Sequence, residues 1–172
     1  MRALPSTPEA LARQRCFPPV VAADTRVLVL GSLPGEASLA AGQYYAYPHN
    51  QFWRLLGDVL GQDLVSLDYP ARLQALLAQR IGLWDVVAEA KRRGSLDMAI
   101  RDARQNDLVD LLASLPALRL VAFNGKTAAR AAVQLQGMAL HCLELPSSSP
   151  ANTRAYAAKL QVWQQIAGWL HD

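Results

Sequence analysis

Apolar residues recur along this chain in two rhythms. One is the short unbroken run: VLVL inside Arg26–Leu30, IGLWDVV over Ile81–Val87, then Leu118–Phe123 and Ala139–Leu145. Such runs, bounded by turn residues, suit strands buried on both faces, as in parallel sheets. The other is the helical stripe. After Asn50, the residues Phe52, Leu55, Leu56, Val59 and Leu60 repeat at i, i+3, i+4, i+7 and i+8, and Gly61 supplies a stop. Asp68-Tyr69-Pro70 opens a second helix with Leu73, Leu76 and Leu77 on one side. Asn106 or Asp107 caps a third, carrying Leu108, Leu111, Leu112 and Leu115. An alanine-rich helix is predicted over Lys126–Gln136, ended by Gly137. Ser149-Pro150 is expected to open the last helix, with Tyr156, Leu160, Trp163, Ala167 and Leu170 as its stripe. Near the N-terminus, residues 5–15 predict a short helix with Thr7 as cap, after which Phe17-Pro18-Pro19 holds the chain extended.

Strands that alternate with helices point to an α/β fold. The economical form is a three-layer sandwich: a central four-stranded parallel sheet covered on both faces by right-handed crossovers. Without repeats, low-complexity tracts or linkers, residues 1–172 read as a single domain. Ligands in such sheets bind beyond the C-terminal ends of the strands. Here those ends carry Gly31-Ser32-Leu33-Pro34-Gly35, Trp84-Asp85, Asn124-Gly125-Lys126 and Pro146-Ser147-Ser148-Ser149-Pro150. The first of them runs on as a long loop of almost no charge to Pro48-His49-Asn50, holding Tyr44, Tyr45 and Tyr47. Long loops inside compact domains are uncommon and usually functional.

Composition narrows the chemistry. At 172 residues, with 52% hydrophobic and 18% charged, the chain has material for a sizeable core and does not read as disordered. A net charge of +3 permits a polyanionic partner without demanding one. Two cysteines, Cys16 and Cys142, are too few for a disulfide framework, a cysteine-ligated zinc or an iron–sulfur cluster. The three histidines, His49, His141 and His171, lack metal-ligand spacing, so neither metal nor cofactor is expected. The apolar runs are too short to cross a membrane, and Arg2, Glu9, Arg13 and Arg15 interrupt any signal-peptide core, which makes the cytoplasm the expected location. A serine hydrolase built on Ser32 fails, because GSLPG is not a GxSxG elbow and no Asp/His order completes a triad.

The ordered set GSLPG, GQYYAYPHNQFW, GLWDVV, RRGSLD, ND, FNG and LPSSSPAN resembles the uracil-DNA glycosylase superfamily over nearly the whole chain. It is most similar to the hypoxanthine-DNA glycosylase (DNA-deoxyinosine glycosylase) branch. That resemblance implies a uracil-DNA glycosylase-like fold. It also implies a metal-free, monofunctional base-excision enzyme whose partner is DNA containing deaminated bases, hypoxanthine first and uracil second, acting as a monomer. Base flipping costs a few kcal/mol, and stacking on an aromatic ring returns about 1–3 kcal/mol. Tyr45 stands where the mismatch-specific branch places the ring beneath the flipped base. Ser32, Gly31 and Asn124 are the other expected base contacts, with Asn124 pairing to the base edge through its amide. Ser147, Ser148 and Ser149 are expected to hold phosphate at a helix N-terminus, with Lys126 as a further phosphate contact; Lys91, Arg92 and Arg93 read as a solvated basic turn.

Asn50 is the expected catalytic residue. Its amide both donates and accepts, enough to hold a water below the anomeric carbon of a bond that breaks with oxocarbenium character. The competing role for Asn50 is a helix N-cap. Two departures from related branches sharpen the question. Leu33 stands where the mismatch-specific branch has a water-positioning Asn, and Leu145 where the major uracil branch has a His. Neither leucine can polarise water or stabilise a leaving anion. The alternatives are therefore a mismatch-specific uracil/thymine glycosylase, which Leu33 disfavours, or a DNA-binding module of the same fold without catalysis.

Overall fold

A computed structural model of the chain describes residues 11–172. Its frame is a four-stranded parallel sheet of β2 (Val27–Gly31), β3 (Ile81–Asp85), β6 (Leu120–Asn124) and β7 (His141–Leu145), in the order β3-β2-β6-β7. All five residues of β2 and all five of β6 are buried, which is why they read as continuous apolar runs. Alternate residues feed two cores. Val27, Val29, Ile81, Leu83, Leu120 and Ala122 face Phe52, Leu55, Leu56, Leu76, Trp163 and Ile166 on one side. Leu28, Leu30, Val121 and Phe123 face Leu108, Leu112, Ala128 and Leu135 on the other. Helices α2 (Phe52–Leu60), α3 (Tyr69–Ala78) and α6 (Tyr156–Trp163) supply the first layer. Helices α4 (Leu108–Ala113) and α5 (Lys126–Ala129) supply the third. The three-layer α/β sandwich and the four-stranded parallel sheet are as expected.

Capping follows chemistry at several ends. The Asp68 side chain accepts from the Ala71 amide to start α3, and Asp107 accepts from Asp110 to start α4. Gly61 ends α2 with φ at 64°.

Five local expectations are corrected. Of the helix expected over residues 5–15, residues 5–10 lie outside the described residues, and Arg13–Arg15 form a strand, β1. Cross-strand charge explains that choice: Glu89 of β4 (Val87–Lys91) receives Arg13 at 3.4 Å, Arg15 at 3.2 Å and Arg104 at 3.3 Å. Those three arginines come from β1 and β5 (Arg101–Gln105), so a second, antiparallel sheet forms in the order β1-β4-β5. All five residues of β5 are exposed, which left no apolar pattern to detect. Second, the run Ile81–Val87 is two strands, broken at Val86, whose amide donates to the Gly31 carbonyl at 2.8 Å. Third, the loop after β2 is not structureless: Glu36–Ala41 form α1. Fourth, the alanine-rich segment is α-helical only to Ala129 and continues as a 3-10 helix over Arg130–Leu135. Fifth, α6 begins at Tyr156 rather than at Ser149-Pro150, because two successive serine turns, Ser149 N–H to Ser147 Oγ and Ala151 N–H to Ser149 Oγ, hold the loop open first.

Gly82 permits the packing of the Val20–Leu83 bridge. A Cβ there would lie 2.9 Å from the Val20 carbonyl oxygen and 2.8 Å from Val21 Cγ1. Gly82→Ala is expected to destabilise the fold by about 1–3 kcal/mol, read as a lower urea midpoint with an unchanged m-value.

Candidate active site

The sheet order places a switch point at β2 and β6. From β2 the chain moves to β3 on one side, then crosses to β6 on the other. Ligands of open α/β sheets bind in the crevice beyond such neighbouring strand ends. Gly31 and Asn124 are the last residues of these two strands.

The residue that enters this crevice is Tyr45, and its predecessor is what aims it. Tyr44 is buried at 3% exposure: its amide donates to Tyr69 Oη at 3.0 Å, and its hydroxyl donates to Pro18 O at 3.0 Å. Trp53 Nε1 donates to the Tyr44 carbonyl at 3.2 Å. With Tyr44 pinned at three points, Tyr45 adopts φ 55°, a left-handed conformation that costs a non-glycine residue about 1–3 kcal/mol. Its ring stacks on Phe52 with centroids 3.7 Å apart and planes 10° apart. Phe52 thus covers one face of the ring. Asn124 Nδ2 donates to the Tyr45 hydroxyl at 3.3 Å and to Ser148 Oγ at 2.9 Å. Asn124 Oδ1 accepts from the Ser148 amide at 2.9 Å.

The line continues to Asn50. The Ser148 carbonyl accepts from the Gln51 amide at 3.0 Å, which fixes the residue beside Asn50 to the same loop. Asn50 Oδ1 accepts from the Phe52 amide at 3.0 Å. The N-cap of α2 is Gln51, so Asn50 does not take the capping role read from sequence; its bond to Phe52 is an Asx turn one residue before the helix. A carbonyl oxygen has a second lone pair and the amide NH2 remains two donors, so this turn and water-holding are compatible. Tyr45 and Asn50 stand at the same end of the sheet, joined through Asn124, Ser148 and Gln51.

Two charged groups beneath this line were given no role by sequence reasoning. Lys159 is 1% exposed; its Nζ donates to Gln51 Oε1 at 3.0 Å and approaches the Ser149 carbonyl at 3.4 Å. Burial lowers its pKa. Asp85, the last residue of β3 and the register partner of Gly31, is 3% exposed, and its Oδ2 is buried without a hydrogen-bond partner. Burial, then the Asp97 carboxylate, pushes the Asp85 pKa up to about 7 against the pull of the Arg92 guanidinium. The same burial, reinforced by Asp85, raises the pKa of Tyr45, so its phenol stays protonated. Gly31 is what lets these groups meet: a Cβ there would fall 2.6 Å from Asp85 Oδ1 and 2.7 Å from Tyr45 Oη. Both charges had a trace in the sequence. Asp85 interrupts an apolar run, and Lys159 falls three residues after Tyr156 on a buried stripe.

Residues 18–169 match the family model of the uracil DNA glycosylase superfamily. Two proteins named hypoxanthine DNA glycosylase are similar to it. The one from Methanosarcina barkeri is 42% identical over 153 residues, covering 89% of this chain and 97% of its own. That from Methanosarcina acetivorans is 41% identical, with the same coverage. The chain belongs to the uracil-DNA glycosylase superfamily. A solution NMR structure of a Methanosarcina acetivorans protein, described as a uracil DNA glycosylase candidate, superposes with a TM-score of 0.84 at 40% identity, covering 92% of this chain and 99% of the other.

Within this superfamily chain, the remaining expected positions divide. Ser32 Oγ donates to Asp97 Oδ1 at 2.6 Å, so its hydroxyl is engaged by protein. Ser148 is buried at 1% and committed to Asn124, while Ser147 and Ser149 are half-buried and Lys126 is exposed. The helix N-terminus proposed to hold phosphate at these serines does not exist there, since α6 starts at Tyr156. Asn124 spends its donors on Tyr45 and Ser148, so it holds the stacking ring and the last loop together. Arg92 is not a solvated turn residue. It is 2% exposed and donates to the Pro34 carbonyl, to Gln14 Oε1 at 2.8 Å and to Ser95 O at 3.3 Å, tying down the loop after β2. Leu33 and Leu145 are buried at 6% and 1%, packed in the two cores. Among the described residues no cluster of three or more His, Cys, Asp or Glu is placed to hold a metal, and no helix is long and apolar enough to cross a membrane.

The Asp85 carboxyl has a pH signature. Its folded pKa lies above its unfolded value, so the folded state holds the proton longer. Stability contributed by this group falls as pH rises from about 4 to about 7. Asp85→Asn removes that slope. Its melting temperature is expected to exceed that of the unmodified protein by several degrees at pH 8, about 2–4 °C for each kcal/mol, with the gain vanishing near pH 4; calorimetry across that range checks it.

Proposed function

We propose that this chain is a monofunctional DNA glycosylase that excises deaminated bases from DNA, hypoxanthine first and uracil second, by hydrolysing the N-glycosidic bond and leaving an abasic site. The observation that carries the reading is the hydrogen-bonded line from Tyr45 through Asn124 and Ser148 to Gln51, the chain neighbour of Asn50, at the sheet's switch point. The names of the two Methanosarcina relatives support hypoxanthine as the first substrate.

The chemistry follows from these groups. A base turned out of the duplex stacks on the face of Tyr45 that Phe52 leaves open. That stacking, about 1–3 kcal/mol, only offsets the unstacking cost of a few kcal/mol. Preorganisation adds the rest: the ring already sits at its strained φ and is held by Asn124 before substrate arrives. Asn50 holds a water against C1′ through its free lone pair as the bond to the base lengthens and the sugar takes on oxocarbenium character. The buried Lys159 cation lies under the Ser149 carbonyl, and Ser147, Ser149 and Lys126 offer hydroxyl and ammonium donors to the flanking phosphates. The protein acts as a monomer in the cytoplasm, with DNA as its partner and no cofactor.

Incubation with an inosine-containing oligonucleotide, then alkali, is expected to give a strand break at the lesion, with a slower break for uracil. No break with either base refutes the assignment, and duplex binding without base release identifies a module that has lost catalysis. Asn50→Ala is expected to lower the single-turnover rate by about 10²–10³-fold while leaving affinity for inosine duplex unchanged. Near-normal turnover in that variant removes Asn50 from the mechanism. No borohydride-trapped protein–DNA adduct is expected, since water rather than a lysine amine attacks the sugar.

A further inference from the structure

Leu145 leaves this site without an imidazole to relieve charge on the departing base, and Leu33 offers nothing in its place. We propose that the side-chain carboxyl of Asp85 fills that need: as a neutral acid it hydrogen bonds to a lone-pair atom of the flipped base and protonates it as the C1′–N bond breaks. The proposal rests on the glycosylase reading above.

Position comes first. Asp85 is paired with Gly31 at the end of the parallel ladder, so its carboxyl projects at the strand ends where the crevice opens. Its Oδ1 and the Tyr45 hydroxyl converge on the space a Gly31 side chain would occupy, 2.6 Å and 2.7 Å from that missing Cβ. The carboxyl therefore stands at the hydroxyl edge of the ring proposed to carry the base. Its backbone is fixed: Asn106 Nδ2 donates to the Asp85 carbonyl at 2.7 Å, and the following amide, of Val86, donates to Gly31 O at 2.8 Å.

Unmet bonding capacity comes second. Asp85 Oδ2 is the buried side-chain oxygen or nitrogen among the described residues that has no partner. An isolated buried carboxylate is costly, and the usual escape is to keep the proton. The groups facing it favour that state. Asp97, from the 3-10 turn after β4, adds like charge, whereas Arg92 opposes it. Tyr45 and Tyr44 from the long loop and Cys16 after β1 face it as neutral groups whose own ionisation its charge suppresses. A neutral carboxyl offers one O–H donor, and a purine leaving with the electrons of its glycosidic bond offers ring-nitrogen or carbonyl lone pairs to receive it.

The step balances. The C1′–N bond breaks and its electron pair stays with the base; the Asp85 proton passes to the base, leaving a carboxylate and a neutral free base. Water held by Asn50 bonds to C1′ and releases a proton, which restores the acid through solvent. The net change is hydrolysis, with no other reactant.

Single-turnover release of hypoxanthine from an inosine duplex, followed from pH 5.5 to pH 9, tests this. In the unmodified protein the rate is expected to fall as pH rises through neutrality, toward tenfold for each pH unit. Asp85→Asn keeps the shape and a hydrogen-bond donor but cannot transfer the proton. It is expected to run about 10²-fold slower at pH 6, with no such fall. Asp85→Ala should be slower still, with duplex affinity retained in both and folding verified by circular dichroism. An unmodified protein whose rate is flat across this range overturns the proposal, as does an Asp85→Asn variant that keeps both the rate and the fall with pH. In those cases base release itself persists and the glycosylase reading stands; no release by the unmodified protein overturns both.

Discussion

The reciprocal pairing of Asn124 with Ser148 is the interaction on which the site depends. One amide side chain takes the Ser148 N–H and returns a hydrogen to its hydroxyl. This fastens the last loop to the end of β6 with both partners buried, where an unmade bond costs about 1–3 kcal/mol. The remaining Asn124 hydrogen reaches Tyr45, and the Ser148 carbonyl reaches Gln51. Three segments far apart in sequence, around residues 45–51, 124 and 148, thereby share one rigid reference. Loops make precise sites only when something of this kind removes their freedom before substrate arrives.

Around that reference, three ionisable side chains among the described residues are almost wholly buried: Asp85, Arg92 and Lys159. They are not equivalent. Arg92 spends its guanidinium on carbonyls and a glutamine amide, so its charge is well bonded. Lys159 has two oxygen partners and no carboxylate, which leaves a net positive field under the serine loop. Asp85 Oδ2 has no partner. Folding gains least from the residue that stands nearest the stacking ring, the pattern expected where stability yields to chemistry.

The inner strands β2 and β6 were legible because burial on both faces leaves continuous apolar runs such as VLVL, short and bounded by turn residues, whereas the edge strand β7 is mostly exposed. The capped helices at Asp68 and Asp107 were legible for an equally local reason. The second sheet was not. Its strands hold through Glu89 and its arginines, and charge pairing across strands leaves no periodicity in a single sequence. The last helix was misplaced because Ser149-Pro150 has the chemistry of a helix start and is used for serial turns instead. At the site, residue types pointed to Tyr45, Asn124 and Ser148, but not to what each touches. That Asn124 holds Tyr45 rather than standing free depends on a contact 79 residues away in sequence. The importance of Asp85 depends on its facing a glycine across the ladder, a matter of register that no local motif encodes.

The outward-facing β5 has its own implication. Five consecutive exposed residues at the margin of a sheet would ordinarily invite another polypeptide to add on and propagate into fibres. Here Arg101, Asp102 and Arg104 place formal charges along that margin, and Asp102 turns to φ 52° in its middle. An incoming chain would have to desolvate the charges and match the kink. The ribbon is thus self-terminating along β5, and this flank is kept from sticking to a second copy of the chain.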